Sequence, residues 1–300
     1  MSSHKFDRRD QNDHRALWLI LLILSLLLLI GGVVGLILLK TGPVNSDPDP
    51  KQMIKDPPVS SPSEPSRPGQ PGESESETAE GIEGTTKPEL PDNPADFAGY
   101  WEINPDVIGC IYIPMNREGD DFDYDIRLPI LQARLADDDN FYLHHNLNRE
   151  YQFSGELYTQ KKNAKDFSDR VTVVYGHNML NPKARDTRFT NLLDFRSKAF
   201  FESHDVFYIY TPGHILTYTI VTATPFDTRH ILNNFDFKDD SVYEEWINNY
   251  VLNPRSMGAH AREGTEVTVD DKIVILSTCM DRGARRYLVE GVLINDEPTK

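Results

Sequence analysis

The chain has 300 residues and carries 47 acidic side chains against 31 Lys and Arg, which gives a formal net charge of −16. So acidic a protein repels the phosphates of nucleic acids and of anionic lipid surfaces, which argues against binding to either of them. Apolar and charged residues are distributed too unevenly for two similar domains, so we expect one folded domain with long flanking segments.

Residues 16–39 predict a transmembrane helix. They carry no charge and consist almost wholly of Leu, Ile, Val and Gly. A helix of this length crosses a hydrocarbon core of about 30 Å. A cleaved signal peptide is the alternative, but it would have a shorter apolar region followed by a small-residue cleavage site. We therefore interpret residues 16–39 as an uncleaved signal anchor.

Basic residues around this segment predict its orientation. Four precede it and one follows it directly: Lys5, Arg8, Arg9, Arg15 and Lys40. Cytoplasmic flanks are enriched in Lys and Arg, so residues 1–15 are expected in the cytoplasm. The rest of the chain is then expected outside the cell, as a single-pass protein of the cell membrane.

Residues 40–94 predict a disordered spacer. This segment contains twelve of the 20 prolines, with Ser, Glu and Gly between them and few large apolar residues. Such a segment buries too little apolar surface to offset the entropy of ordering, and its prolines keep it semi-extended. The folded domain is expected at residues 95–300.

Short β-branched and aromatic runs predict a mainly β domain with helices. The predicted strands are residues 107–113, 126–132, 155–160, 170–175, 206–211, 216–223, 272–278 and 286–294. Eight strands suggest a closed barrel, since closure removes the exposed edges of a sheet.

Three helices are expected around the barrel. A short N-terminal helix near residues 93–101 leads into it, and a second spans about residues 189–201. Ser241 and Glu244 have the form of a capping box, and an aromatic stripe at helical spacing follows until Asn253 and Pro254 end the run. This third helix falls in an insertion between the late strands.

Cys279 is the outstanding nucleophile. It ends the apolar run 272–278, and Arg286 opens the next strand seven positions later. His177 closes another β-branched run at a similar strand end. A thiol, an imidazole and a guanidinium suit acyl transfer, because they supply a nucleophile, a proton carrier and an oxyanion donor. The alternative is that Cys279 is an inert packing residue, as many free cysteines are.

No metal site and no cofactor are predicted. Asp121, Asp123 and Asp125 follow the beginning of a calcium loop, but Ile126 stands where that loop requires glycine. A loose calcium site at residues 137–139 stays open, although a solvated turn is favoured. We also expect no disulfide between Cys279 and the other cysteine, Cys110, which lies inside a predicted strand.

Three motifs resemble the class B sortases, the cysteine transpeptidases of Gram-positive bacteria. They are Leu276-Ser277-Thr278-Cys279, Tyr175-Gly176-His177-Asn178-Met179 and Arg286-Tyr287-Leu288-Val289. Further matches run in the family's order across residues 95–295, and the insertion at residues 225–264 resembles the helix-bearing loop that separates class B from class A. Arg285 and Arg286 adjoin, and neighbouring strand residues face opposite sides, so only one of them can point into the site; the family's register implies that it is Arg286.

The resemblance implies a sortase-type eight-stranded barrel and a catalytic trio of Cys279, His177 and Arg286. It implies substrate contacts by Ser277, Thr278, Tyr287 and Asn178. The implied partners are secreted proteins with a C-terminal sorting motif, cleaved after its threonine, and an amine acceptor from peptidoglycan or a pilin. Two alternatives stay open: a membrane-tethered cysteine protease, in which water resolves the thioester, and a non-catalytic surface binding domain.

Overall fold

The computed structural model describes residues 50–58, 89–117, 119–120, 123–179 and 188–300. The predicted cytoplasmic segment, signal anchor and central part of the spacer lie outside these residues. Within them, no helix has the length and apolar composition to cross a bilayer.

Nine strands form one sheet. Their bounds are β1 Val107–Ile113, β2 Ile126–Gln132, β3 Leu157–Thr159, β4 Val171–Tyr175, β5 Val206–Thr211, β6 His214–Phe226, β7 His260–Ala261, β8 Ile273–Met280 and β9 Arg285–Pro298. The strand order is β5-β1-β2-β3-β4-β8-β9-β6-β7, and a further pairing of β5 with β6 closes the ring. The predicted eight-stranded barrel is confirmed, with β7 as a two-residue addition to β6.

Side-chain alternation divides the barrel strands between two apolar clusters. On β8, Val274 and Leu276 pack in the barrel interior with residues from the other strands. Ile273 and Ile275 instead pack outside, against the helices of the insertion. Because successive strand residues face opposite sides, Cys279 shares the outer face with Ile275.

Four short helices accompany the barrel. They are α1 Phe97–Ile103, α2 Lys198–Ser203, α3 Ile231–Asn234 and α4 Asp240–Trp246. The prediction of one helix over residues 189–201 was only partly right. A 3₁₀ segment, Thr190–Arg196, precedes α2, and Ser197 separates the two. The Ser197 side chain accepts a hydrogen bond from the Phe200 amide, so it caps α2.

The insertion helix begins at a different cap from the predicted one. The N-cap of α4 is Asp239, whose carboxylate accepts from the amides of Ser241 and Val242. Ser241 therefore does not form the predicted capping box, because a charged acceptor two residues earlier takes these amides. The helix continues from Trp246 as a π-helix, Ile247–Leu252.

Trp246 and Val251 of the predicted stripe are buried in the core, whereas Val242 and Tyr250 are half-buried. Tyr243 and Trp246 are fully buried and pack in the outer cluster with Phe226 and Phe237. Trp246 also donates from Nε1 to the Glu290 carboxylate of β9 at 3.0 Å. The insertion is thus held on the outer face of β8 and β9.

The folded unit includes residues that composition assigned to the spacer. Ile54 is 3% exposed and pairs with Ala95 through an isolated β-bridge. Asp56 forms an ion pair with Arg127 of β2 at 2.7 Å. A single apolar residue in a polar segment is enough to anchor this stretch on the barrel.

Candidate active site

Three adjacent strands carry the candidate site. β4 runs parallel to β8, with Tyr175 opposite Ser277, and β9 runs antiparallel to β8, with Arg286 opposite Cys279. β8 extends to Met280, so Cys279 lies within the strand and not just beyond its end as the sequence suggested. The strand is longer because Met280 still pairs with Arg285 before the chain turns.

Arg286 and Cys279 are in direct contact. Arg286 donates from Nη1 to Cys279 Sγ at 2.9 Å, and both side chains are partly buried. A permanent positive charge therefore lies against the sulfur. Arg285 is exposed and its Nε donates to Asp281 Oδ2 at 2.7 Å, on the other side of the strand.

Backbone contacts bracket His177 beside Cys279. The Gly176 amide donates to the Ser277 carbonyl at 3.1 Å, and Asn178 Nδ2 donates to the Cys279 carbonyl at 2.9 Å. On its other side, the His177 carbonyl accepts from the Phe189 amide at 3.0 Å. The residue that follows β4 is therefore fixed alongside the end of β8.

The surroundings of His177 favour its neutral form. Burial lowers its pKa from the ordinary value of 6.5, and the positive neighbours His144, Arg286 and Arg188 act in the same direction, while a hydrogen bond to the Leu143 backbone opposes them. His177 Nε2 is buried and has no hydrogen-bond partner among the residues described.

A buried ion pair supports the loops around His177. Arg188 Nη2 lies 3.0 Å from Glu156 Oε1, and their side chains are only 4% and 6% exposed. Arg188 Nε also donates to the Gly155 carbonyl, and Glu156 accepts from the Leu147 amide. Sequence reasoning missed this pair, because the two residues lie far apart in the chain and match no motif.

The residues expected to touch substrate separate into two groups. Ser277 lies on the same face as Cys279, and Asn178 bonds the Cys279 backbone. Thr278 donates instead to the Gly176 carbonyl at 2.9 Å, and Tyr287 is fully buried inside the barrel. The structure does not bring Thr278 and Tyr287 to the groove, because these paired residues point to the interior face.

Two stacked tyrosines line the groove next to the Arg286 side of the site. The rings of Tyr158 and Tyr175 lie 5.4 Å apart, and His230 of the insertion approaches Tyr175 at 6.2 Å. Burial raises the pKa of both tyrosines, while the nearby charge of Arg286 opposes this. Both hydroxyls stay protonated: that of Tyr158 donates to Asn140 Oδ1 at 3.2 Å, and that of Tyr175 is buried without a partner among the described residues.

The remaining predictions concern a disulfide and a metal site. Cys110 and Cys279 are both free, and Cys110 is fully buried in β1, where burial raises the pKa of its thiol. The part of the chain with described coordinates contains no group of three or more His, Cys, Asp or Glu side chains arranged to hold a metal ion.

Comparisons with known proteins identify relatives with a similar sequence and fold. No family model matches the chain. It is 27% identical to sortase B of Listeria monocytogenes over 200 residues, which cover 64% of this chain and 72% of that protein. A crystal structure of a mutant form of Clostridium perfringens sortase B is 28% identical, with a TM-score of 0.55 and coverage of 66% of this chain and 86% of that one. A Bacillus anthracis protein described as similar to sortase B is 26% identical, with a TM-score of 0.54 and coverage of 71% and 88%.

A closed eight-stranded barrel with a cysteine and an arginine paired on neighbouring strands defines a cysteine transpeptidase of the sortase type. Within that type, the relatives above are all sortases B or similar to them. The comparisons therefore support a class B sortase.

Proposed function

We propose that Cys279 is the nucleophile of this sortase, with His177 as proton carrier and Arg286 as the cation at the reacting centre. The contact of 2.9 Å between Arg286 Nη1 and Cys279 Sγ carries this assignment. The substrates we infer are secreted proteins with a C-terminal sorting motif, cleaved after its threonine. The acceptor is an amine of peptidoglycan or of a pilin subunit.

The chemistry proceeds in two acyl transfers. In the first, Cys279 Sγ attacks the carbonyl carbon while its proton passes to His177. His177 then protonates the leaving amine as the C–N bond breaks, and a thioester remains. In the second, the incoming amine attacks the thioester, His177 takes its proton, and the new amide leaves as Cys279 is released. Arg286 stabilises the negative charge on sulfur or on the carbonyl oxygen.

The low pKa of His177 supports this order of proton transfers. A lowered pKa favours the neutral imidazole, which is the form that accepts the thiol proton at the start of each cycle. No carboxylate contact to His177 is needed, since the Leu143 backbone holds the ring.

We further infer a single-pass protein of the cell membrane. The support is the uncharged segment 16–39 and the basic residues that precede it. This topology places residues 1–15 in the cytoplasm and the catalytic domain, residues 95–300, outside, where secreted substrates and wall precursors meet. The parts of segment 40–94 that do not pack on the barrel serve as the spacer between them.

The test is an incubation of the full-length chain with a sorting-motif peptide, with and without an amine acceptor. We expect an acyl adduct on Cys279 by intact mass spectrometry and an amide product only when amine is present. Cys279→Ala abolishes both, while Cys110→Ala preserves them because Cys110 is buried in β1. Acceptor-independent hydrolysis with no amide would establish the protease alternative, and a wild-type chain that forms neither adduct, hydrolysis product nor amide would favour a binding domain.

A further inference from the structure

Two large aromatic side chains are exposed beside the candidate site. Tyr151 is 73% exposed and Phe153 is 63% exposed. Single exposed apolar residues are common on protein surfaces. Neighbouring exposed aromatic rings mark an interaction surface more often than isolated ones do. We call Tyr151, Phe153 and the half-buried His144 the aromatic strip.

The backbone holds the strip in place. Tyr151 pairs with His145 through an isolated β-bridge, and the Gln152 amide donates to the His144 carbonyl at 2.9 Å. The turn between them is closed by the Asn146 amide, which donates to the Glu150 carbonyl at 2.9 Å. The rings are therefore presented by an ordered hairpin and lose little freedom when a ligand binds.

The strip reaches His177 without a gap. The Phe153 ring lies 5.6 Å from the His177 ring and 5.8 Å from the His144 ring, nearly parallel to both. Tyr151 extends the row, with its ring 6.3 Å from His144. A molecule lying along the strip therefore ends at the imidazole that we assign to proton transfer.

This geometry places the strip on the path of an amine that exchanges a proton with His177. The incoming amine must meet the same imidazole that protonated the departing one, so it approaches from the His177 side. In water a primary amine is an ammonium ion, and ammonium groups are attracted to the faces of aromatic rings.

The hairpin carries one exposed carboxylate that a cationic ligand can approach, whereas Arg286 and Arg188 lie toward His177. Glu150, next to Tyr151, is exposed and forms no ion pair with any part of the chain that the structure describes. The neighbouring cation, Arg149, is directed away and paired with Asp106 and Asp137.

We propose that the aromatic strip is the docking surface of the amine acceptor, where an alkyl ammonium chain lies across Tyr151 and Phe153 and delivers its nitrogen to His177. This inference rests on the proposed function of the site. It assigns the acceptor, a primary alkyl amine, to the hairpin side of His177.

The experiment measures amide formation by the full-length chain at saturating sorting peptide, with triglycine amide as the amine probe. Tyr151→Ala and Phe153→Ala are each expected to raise the KM for triglycine amide by roughly 2- to 5-fold, which is what the loss of one exposed aromatic-ring contact corresponds to. The double variant raises it by roughly the product. Phe153→Tyr restores the wild-type KM, whereas Phe153→Leu does not.

Leu135→Ala and Met257→Ala are the matched controls, since these side chains are 94% and 93% exposed. An unchanged acceptor KM in the double variant overturns the inference. A displaced pH profile without a change in that KM also overturns it, because Phe153 would then only position His177. If the wild-type chain acylates Cys279 and transfers normally in these cases, the proposed function stands alone. A wild-type chain that never acylates Cys279 refutes the proposed function, and the inference with it.

Discussion

Replacing Glu290 with glutamine is expected to remove a steep fall in the protein's stability at neutral pH. Glu290 lies on β9 with no exposed surface, and one carboxyl oxygen accepts from Trp246 Nε1 at 3.0 Å. The other oxygen is buried without a partner among the described residues. Burial raises the pKa of this carboxyl from 4.5 to about 8, although the Trp246 hydrogen bond opposes the rise.

The size and sign follow from linkage. Because the folded-state pKa is the higher one, the contribution of Glu290 to stability is fully present below pH 4.5 and is lost as the pH rises toward 8. Each pH unit in that window costs about 1.4 kcal/mol, so the full loss is about 5 kcal/mol. Glutamine keeps an acceptor for Trp246 and cannot ionise, so the Glu290→Gln variant escapes this loss.

Urea unfolding at pH 5.5, 6.5 and 7.5 measures the difference. The free energy of unfolding of the wild type should fall relative to that of Glu290→Gln by about 1.4 kcal/mol for each of these steps. Glu245→Gln is the matched control, since Glu245 precedes Trp246 but is exposed. Parallel pH curves for the wild type and Glu290→Gln would refute the reasoning.

Three further predictions concern the site. Arg286→Lys should lower kcat/KM for amide formation by roughly 10²- to 10³-fold, as loss of an oxyanion donor does. Replacing the exposed Arg285 with lysine should change kcat/KM by no more than about 2-fold. Chromatography of the amide product measures both. Because the pKa of His177 is lowered, the acid limb of kcat/KM should lie below pH 6.5, and a limb above that value in the pH–rate profile contradicts the assignment. Arg188→Met should cost about 3–5 kcal/mol in urea unfolding by leaving Glu156 buried and unpaired, and the double variant Arg188→Met/Glu156→Leu should cost less.

Strands whose limits are set by local chemistry were predictable from the sequence. β1, β2 and β5 have the predicted bounds, since turn residues or charges adjoin each apolar run. β6 and β9 are longer than predicted. They pair from His214 opposite Pro298 to Phe226 opposite Arg286, and this pairing carries both strands through polar residues that have no β pattern of their own.

The candidate site was predictable only where a strand presents a reactive side chain. Cys279, His177 and Arg286 could be found because each lies at or near the end of an apolar run, and alternation separated Arg286 from Arg285. The supports of His177 were not predictable. Phe153 and the pair of Arg188 with Glu156 come from loops, whose approach to one another depends on the closed barrel and not on spacing along the chain.

Alternation along β9 also connects the insertion to the chemistry. Arg286, Leu288 and Glu290 face the same outer side of the barrel, where Leu288 packs with Trp246 in the outer cluster. The hydrogen bond that holds α4 is therefore two side chains away from the cation that touches Cys279. Ionisation of Glu290 weakens the packing of α4 on the strand that positions Arg286. Loss of stability should therefore begin above pH 4.5, whereas the Arg286 contact should weaken only as Glu290 ionises in the folded protein, as the pH approaches 8, and Glu290→Gln should prevent both.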